Sequence, residues 1–289
     1  MRVAALSLAG FPMKQLEDYA AALSMLLKKL HAKLVVLPAH TSFLLCAASG
    51  CLGETHGFAD SYRCFMHNSR EWSHRYLHLH SSLARRSNLY LVAGTTIEEV
   101  NEHFYHTSYC FGPDGEICGK QRQTHLSREE RALGLNRGNE LHLFDVAGIK
   151  AGLVVGTDAL HPEVGRIFAL EGADLVAHSG AFIAGRGNLV QPAGMWAQVQ
   201  QNQFWAVEAQ LSGSICDRTF GAQCAIIGPC EVTLGSTGYI DRETVEKPFA
   251  VAELDEADLK KIKRDYPLLQ LLNPEAYQGL LPELYGRES

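Results

Sequence analysis

The chain has 289 residues, of which 46% are hydrophobic and 20% charged, enough for one large α/β domain with a sizeable core. A net charge of −6, a sequence pI of about 6.1 and the lack of any basic block argue against nucleic acid and anionic membrane as partners. No apolar run approaches the ~18–20 residues a membrane helix needs, and Met1–Leu8 has no signal-peptide character, so the expectation is a cytoplasmic protein whose eight cysteines stay reduced.

Arg2–Ala9 alternates loosely and reads as a first strand. Met13–His31 sets Leu16, Tyr19, Leu23, Leu26, Leu27 and Leu30 at steps of three and four, which makes one helical face. Lys33–Pro38 is a buried strand stopped by proline, so the chain opens β-α-β. Thr41–Glu71 reads as a long loop with short helices over a pocket, and it carries Cys46, Cys51 and Cys64. Glu71–Ser87 is a helix and Leu89–Thr95 a strand. Phe104–Phe111 and Ile117–Thr124 are strands joined by a turn at Gly112–Gly115. Glu140–Phe144 and Lys150–Val155 follow as strands, then a helix over Pro162–Glu171 and a strand over Ala173–Ser179. A helix over Pro192–Val207 passes into a strand at Ala206–Leu211, and Phe220–Gly228 and Pro248–Leu254 complete the strands. Asp255–Arg264 is a charged helix with Asp255 as its N-cap. Tyr266–Ser289 holds three prolines among many leucines and is too apolar to hang free in solvent. The organisation expected is a single domain, 1–289, with 266–289 an arm that packs on a partner subunit.

The informative stretch is Lys150–Glu163. A buried run from Gly152 to Val155 stops at Gly156, and the polar Thr157-Asp158 follows. Pro162 then opens a helix with Glu163 in its first turn, where a carboxylate suits the helix dipole. Strand, sharp elbow and helix in this order hold one residue out of the sheet's end, where enzymes often place a nucleophile.

This segment resembles the elbow of the nitrilase superfamily, the carbon–nitrogen hydrolases, whose pattern is Gly-x-x-x-Cys-x-Asp-x-x-x-Pro-Glu. Gly152, Asp158, Pro162 and Glu163 fall on it, and Gly156 occupies the cysteine position. The resemblance implies a nitrilase-like four-layer α-β-β-α sandwich over nearly the whole chain, in a homodimer or higher homo-oligomer joined through helices. It also implies three chemical positions: a cysteine that attacks the nitrile or amide carbon, a glutamate that shuttles its proton and a lysine that steadies the developing charge. The glutamate follows a hydrophobic-hydrophobic-Pro frame, where Ala39 stands after Pro38. The lysine precedes a His-Leu frame, where Gln123 stands before His125-Leu126. Losing one member of a buried Glu–Lys pair would strand a charge at a cost of ~3–5 kcal/mol, whereas losing both strands none. Glu130, seven residues past Gln123, matches the family's second glutamate, with Glu129 the near alternative. His125 and Asn202 also fall on family positions, although Gln198–Gln201 departs from the Arg-Ala-x-Glu usual before that asparagine.

Two side chains could substitute for the lost chemistry: Thr157 as a nucleophile, or His40 as a base on a water, against plain turn or loop roles for both. Cys46 and Cys51 are candidate reactive thiols near the pocket loop. His74, His78 and His80 include an i, i+4 pair of metal-like spacing, but no acid joins them, so neither metal nor cofactor is expected. Cys216, Cys224 and Cys230 are too irregularly spaced for a metal, and Gly185–Gly187 reads only as a flexible loop. The functional expectation is a catalytically degenerate family member that binds a small amide or carboxylate, or a protein partner. The pocket candidates are His40, His125, Glu130, Thr157 and Asp158. The alternatives are a divergent hydrolase with a non-cysteine mechanism and a structural subunit beside an active paralogue.

Overall fold

The computed structural model describes residues 1–185 and 191–285. Its first sheet is built from β1 (Arg2–Leu6), β2 (Leu34–Val36), β3 (Tyr90–Val100), β4 (His103–Phe111), β5 (Ile117–Arg122) and β15 (Phe249–Glu253), in the order β15-β1-β2-β3-β4-β5, with the short β6 (Leu135–Asn136) also on β4. The second is β14 (Tyr239–Arg242), β13 (Ala225–Ile227), β10 (Trp205–Gln210), β9 (Leu175–Gly180), β8 (Ile149–Val155) and β7 (Leu143–Val146). Each sheet has a parallel centre, β1-β2-β3 in one and β8-β9-β10 in the other.

The period-2 alternation of these strands makes the layers. Val3 and Ala5 of β1 and Leu34 and Val36 of β2 face the other sheet, where they meet Leu153, Trp205 and Val207. Ala4, Leu6 and Val35 face the opposite way, onto α1 (Leu16–Leu30), α2 (Thr41–Ala48), α3 (Gly57–His67) and α4 (Ser69–Ser87). On the far side, Val154, Val176 and Ala206 pack against α6 (Pro162–Leu170) and α7 (Ala197–Asn202). The result is helix, sheet, sheet, helix, the four layers expected.

The differences from the sequence reading are local. Thr41–Glu71 is mostly helical, with α2, α3 and the start of α4 separated by short turns. Phe220–Gly228 is two strands in different sheets: β12 (Arg218–Gly221) forms a separate hairpin with β11 (Ser212–Ile215), while β13 joins the second sheet. The helix read over Pro192–Val207 ends at Asn202, because Gln203 turns left-handed (φ 56°) and Trp205 is already in β10. Tyr239–Arg242 was not legible as a strand, since only its pairing to β13 makes it one. The loop reading at Gly185–Gly187 lies partly outside the described residues. After α8 (Glu256–Asp265) the arm ends in α9 (Pro274–Tyr285), where Tyr277, Leu280 and Tyr285 remain exposed.

β3 carries a bulge between Val92 and Thr95. Gly94 sits there at φ +65°, where an added Cβ would run into the Pro38 carbonyl oxygen and lie 2.7 Å from Thr41 Oγ1. Backbone and a buried hydroxyl cannot yield cheaply, and the left-handed φ adds strain. Gly94→Ala should therefore cost ~3 kcal/mol, read as a lower urea midpoint with unchanged slope; a midpoint within error of wild type would remove this bulge as a constraint.

Candidate functional site

The site lies at the C-terminal ends of the parallel strands of both sheets, a common place for ligands in α/β folds. β2 runs out at Pro38, and two bonds then fix the exit. Ala39 N donates to the Gly180 carbonyl of the other sheet (3.1 Å), and His40 N donates to Thr95 Oγ1 (2.8 Å). His40 takes φ 60° and precedes α2. β8 ends at Gly156, also left-handed (φ +53°), and a short 3-10 turn over Gly156–Leu160 leads to α6. The elbow read from Lys150–Glu163 is therefore present.

Asp158 explains why an elbow of this kind carries an acid. Its fully buried carboxylate accepts from Thr124 N (3.0 Å), Thr124 Oγ1 (3.0 Å) and His125 N (2.6 Å), so the turn clamps the chain that leaves β5. That clamp presses Gln123 against the elbow. Gln123 is fully buried, and a Cβ built on Gly156 would lie 3.3 Å from its amide. Gln123 Nε2 donates among three acceptors: His125 O (3.0 Å), Glu130 Oε2 (3.1 Å) and Thr157 Oγ1 (2.8 Å). Because His125 O and Glu130 can only accept, the amide orientation follows from the network. Gln123 Oε1 therefore accepts from His106 Nδ1 (2.7 Å), and His106 Nε2 is left to accept from Thr95 Oγ1 (2.6 Å). Burial favours the neutral form of this ring at the centre of the site.

A cavity of about 400 Å³ opens above these groups. Ala39, Gly156 and Thr157 form part of its wall, with Phe58, Tyr62 and Phe220 opposite. His40 stacks on His106, ring centroids 5.0 Å apart at 12°, and meets Tyr62 and Phe58 edge-on at 5.6 and 5.9 Å. At the mouth Arg218 forms a bidentate pair with Glu129 and lies 4.1 Å over the Phe58 ring. Glu130 lines the cavity while its Oε2 accepts from Ser127 N (2.7 Å), closing the capping box of α5 (Arg128–Leu133). Burial, then His106 and Arg218, push the His40 pKa well below the usual imidazole value. Burial likewise lowers His106, although Glu130 and Gln123 pull in the other direction.

Under the elbow, two residues not foreseen from sequence brace it. His178 Nε2 donates to the Gly156 carbonyl (3.0 Å), and its Nδ1 lies 2.9 Å from Glu208 Oε1. Gln210 and Gln191 also donate to Glu208, at 2.9 and 2.6 Å, so this fully buried carboxylate is well supplied with donors. An acid inside the apolar run Trp205–Ala209 was a signal that this strand serves a polar centre.

The structure sorts the expected residues. Ala39, His40, Glu130, Gly156 and Thr157 line the cavity; Gln123 and Asp158 lie just behind its wall. Thr157 Oγ1 donates to His125 O (2.6 Å) while accepting from Gln123, so its hydroxyl is occupied in the turn. His125 leaves the site and stacks on His161 at 3.9 Å. Asn202 closes α7, donating to Gln198 O (2.9 Å). Glu129 is the mouth residue, and Glu130 the inner one. Cys46 and Cys51 line a different groove, away from the cavity. His74 and His78 are exposed, whereas His80 is buried beside Tyr19 (3.0 Å). Among the described residues no three His, Cys, Asp or Glu side chains converge as a metal would require, and no helix is long and apolar enough to cross a membrane.

Residues 2–263 match the carbon-nitrogen hydrolase family. The chain belongs to that family. Among its relatives, omega-amidase NIT2 of Mus musculus is 24% identical over 205 residues, 68% of this chain and 72% of the relative. A nitrilase of Pyrococcus abyssi is 30% identical over 176 residues, 60% of this chain and 62% of the relative. The fold superposes on a carbon-nitrogen hydrolase from Helicobacter pylori with a TM-score of 0.76 at 20% identity, covering 97% of each chain. It superposes on Nit3 of Saccharomyces cerevisiae, a member of branch 10 of the nitrilase superfamily, with a TM-score of 0.75 at 23% identity, covering 93% and 94%. These superpositions extend the α-β-β-α architecture to nearly the full length of the carbon-nitrogen hydrolase chain.

The histidine pair gives the site a pH dependence of known sign. Both imidazoles titrate lower in the fold than at their ordinary 6.5. Below that pH the unfolded chain takes up more protons, so stability that is complete above about 6.5 is lost as pH falls toward the folded-state values. Urea midpoints should decline from pH 7 to pH 5, and His40→Asn, which tolerates the left-handed φ, should flatten that decline; an equal slope in the variant would show that His40 carries none of it.

Proposed function

We propose that this carbon-nitrogen hydrolase homologue is catalytically degenerate and uses its cavity to hold a small amide or carboxylate ligand. In this reading Ala39, Gln123 and Gly156 stand where active members carry glutamate, lysine and cysteine. The observation that carries it is the state of Gln123. Its amide hydrogens and oxygen are committed to His125, Glu130, Thr157 and His106, so none is free to steady an oxyanion. Gly156 offers no nucleophile, and the Ala39 methyl offers no base. What remains suits recognition: aromatic walls, the Glu130 carboxylate for an amide N–H, and the guanidinium of Arg128 near the mouth for an acid.

Purified protein should release no ammonia from short aliphatic amides and nitriles, and should form no acyl adduct by intact-mass analysis. Small carboxamides and acids should still raise its melting temperature, a ligand at 100 times its Kd adding about 2.7 kcal/mol. Turnover that survives thiol reagents and disappears in His40→Ala or Glu130→Ala would instead establish a water-based hydrolase. Co-purification with a cysteine-bearing paralogue would establish a structural subunit.

The same proposal includes a homodimer or larger homo-oligomer joined through helices, with the arm from Tyr266 onward reaching the partner. Ile167 and Leu170 of α6 are 44% and 58% exposed, and Leu280 on the arm is 60% exposed. Tyr285 donates to Glu163 at the start of α6, which brings the arm to that helix. Light scattering should show at least a dimer, and Leu280→Glu should shift it to smaller species. A wild-type monomer at tens of micromolar would defeat this part.

A further inference from the structure

We propose that Cys46 and Cys51 form a redox-active dithiol that an anionic low-molecular-weight disulfide oxidises to an intramolecular bridge. Cys46 sits in the last turn of α2, and the chain reverses through Ser49 and Gly50, the latter at φ +76°. The reversal returns the Cys51 thiol to within 2.9 Å of the Cys46 carbonyl, beside the residue it would bridge to. Cys51 is exposed and Cys46 buried, so one sulfur meets solvent and the other waits behind it. The Ser49 hydroxyl lies 3.3 Å from Cys51 Sγ. Both cysteines open onto a groove of about 790 Å³ that also presents Arg70, Arg75, His67 and His74 against a single acid, Glu71. Arg70 pairs with Glu99 at 3.4 Å but is mostly exposed, so its guanidinium and that of Arg75 supply positive charge that suits an anionic oxidant. Cys118 Sγ likewise lies 3.4 Å from the Cys110 carbonyl, but Cys110 is sealed between the two sheets and borders no such groove.

The chemistry balances in two steps. Cys51 sulfur attacks one sulfur of the small disulfide, breaking its S–S bond, and the first half leaves as a thiol with the Cys51 proton. Cys46 sulfur then attacks Cys51 sulfur, forming the internal bond, and the second half leaves with the Cys46 proton. Two electrons pass from the protein to the small disulfide. The bridge would fix the connection between α2 and α3, the helices that bring Phe43, Phe58 and Tyr62 around His40.

The test treats full-length native protein with oxidised glutathione, caps free thiols with N-ethylmaleimide and maps tryptic peptides. Leu34–Arg63 carries both cysteines on one peptide. It should appear two hydrogens lighter and unalkylated, and Cys46→Ala should stop at a glutathionyl adduct on Cys51. Arg70→Ala with Arg75→Ala should slow the reaction severalfold with oxidised glutathione, while leaving the rate with neutral hydroxyethyl disulfide unchanged. Alkylation of both cysteines, a persistent adduct on wild-type Cys51, or a bridge at Cys110–Cys118 in place of this one would each overturn the proposal. The wild-type map decides even if Cys46→Ala fails to fold.

Discussion

The arrangement of the site depends on one buried amide. Gln123 connects the end of β5, the elbow turn at Thr157, the capping box at Glu130 and the central imidazole of His106. Each bond constrains the next. The two acceptor-only partners fix which end of the amide is nitrogen, and that in turn fixes the tautomer of His106 and the role of Thr95. Buried networks of this kind rigidify when every member is satisfied and are costly when one is not. The position is therefore sensitive: a side chain that could not both donate to Glu130 and accept from His106 would leave one of these buried partners unpaired.

The charges around the cavity obey the same economy. His40 and His106 are held neutral by burial, Glu129 is matched by Arg218, and the Glu130 carboxylate accepts from a backbone N–H and the Gln123 amide. No bare charge is left in an apolar space, which is the condition for an enclosed pocket to be stable without a ligand. His40 Nδ1 is the exception, buried with no hydrogen-bond partner among the described residues, in the middle of the aromatic cluster.

Much of this was legible in the sequence because it rests on local periodicity. The helical spacing of Leu16 to Leu30, the buried run into Gly156 and the Pro162-Glu163 helix start all describe short-range physics. The Ser127-x-x-Glu130 capping box of α5 is equally local and was readable, although it was overlooked. What could not be read depends on pairing across the fold. His106 reaches Gln123, and Thr95 reaches His106, through the register that the β3 bulge sets on the first sheet. Arg218 and Phe220 reach the mouth because their strand leaves both large sheets and folds back as a hairpin. The short helices expected within Thr41–Glu71 are present, but their bounds are not legible because the aromatic residues serve the cavity as well as the helices, which blurs a single apolar face.

That double use links site and scaffold. Phe43 of α2 and Phe58 and Tyr62 of α3 are buried, and they also surround His40. Both helices are short, and the turn between them is exposed and carries Gly50 and Gly53 at positive φ. The start of α3, directly after that turn, is held in place: Phe58 N donates to Asp217 (2.7 Å) in the turn of the β11–β12 hairpin, and Arg218 of that hairpin closes the mouth. The aromatic wall is thus anchored by a polar contact where the turn enters α3. Any change in that turn acts on the cavity through rigid rings rather than through the sheets, which are tied to each other at Ala39–Gly180 and Ser179–Leu37. In this fold the Gly156 side of the pocket is tied to both sheets, and α2 and α3 carry the aromatic wall around His40.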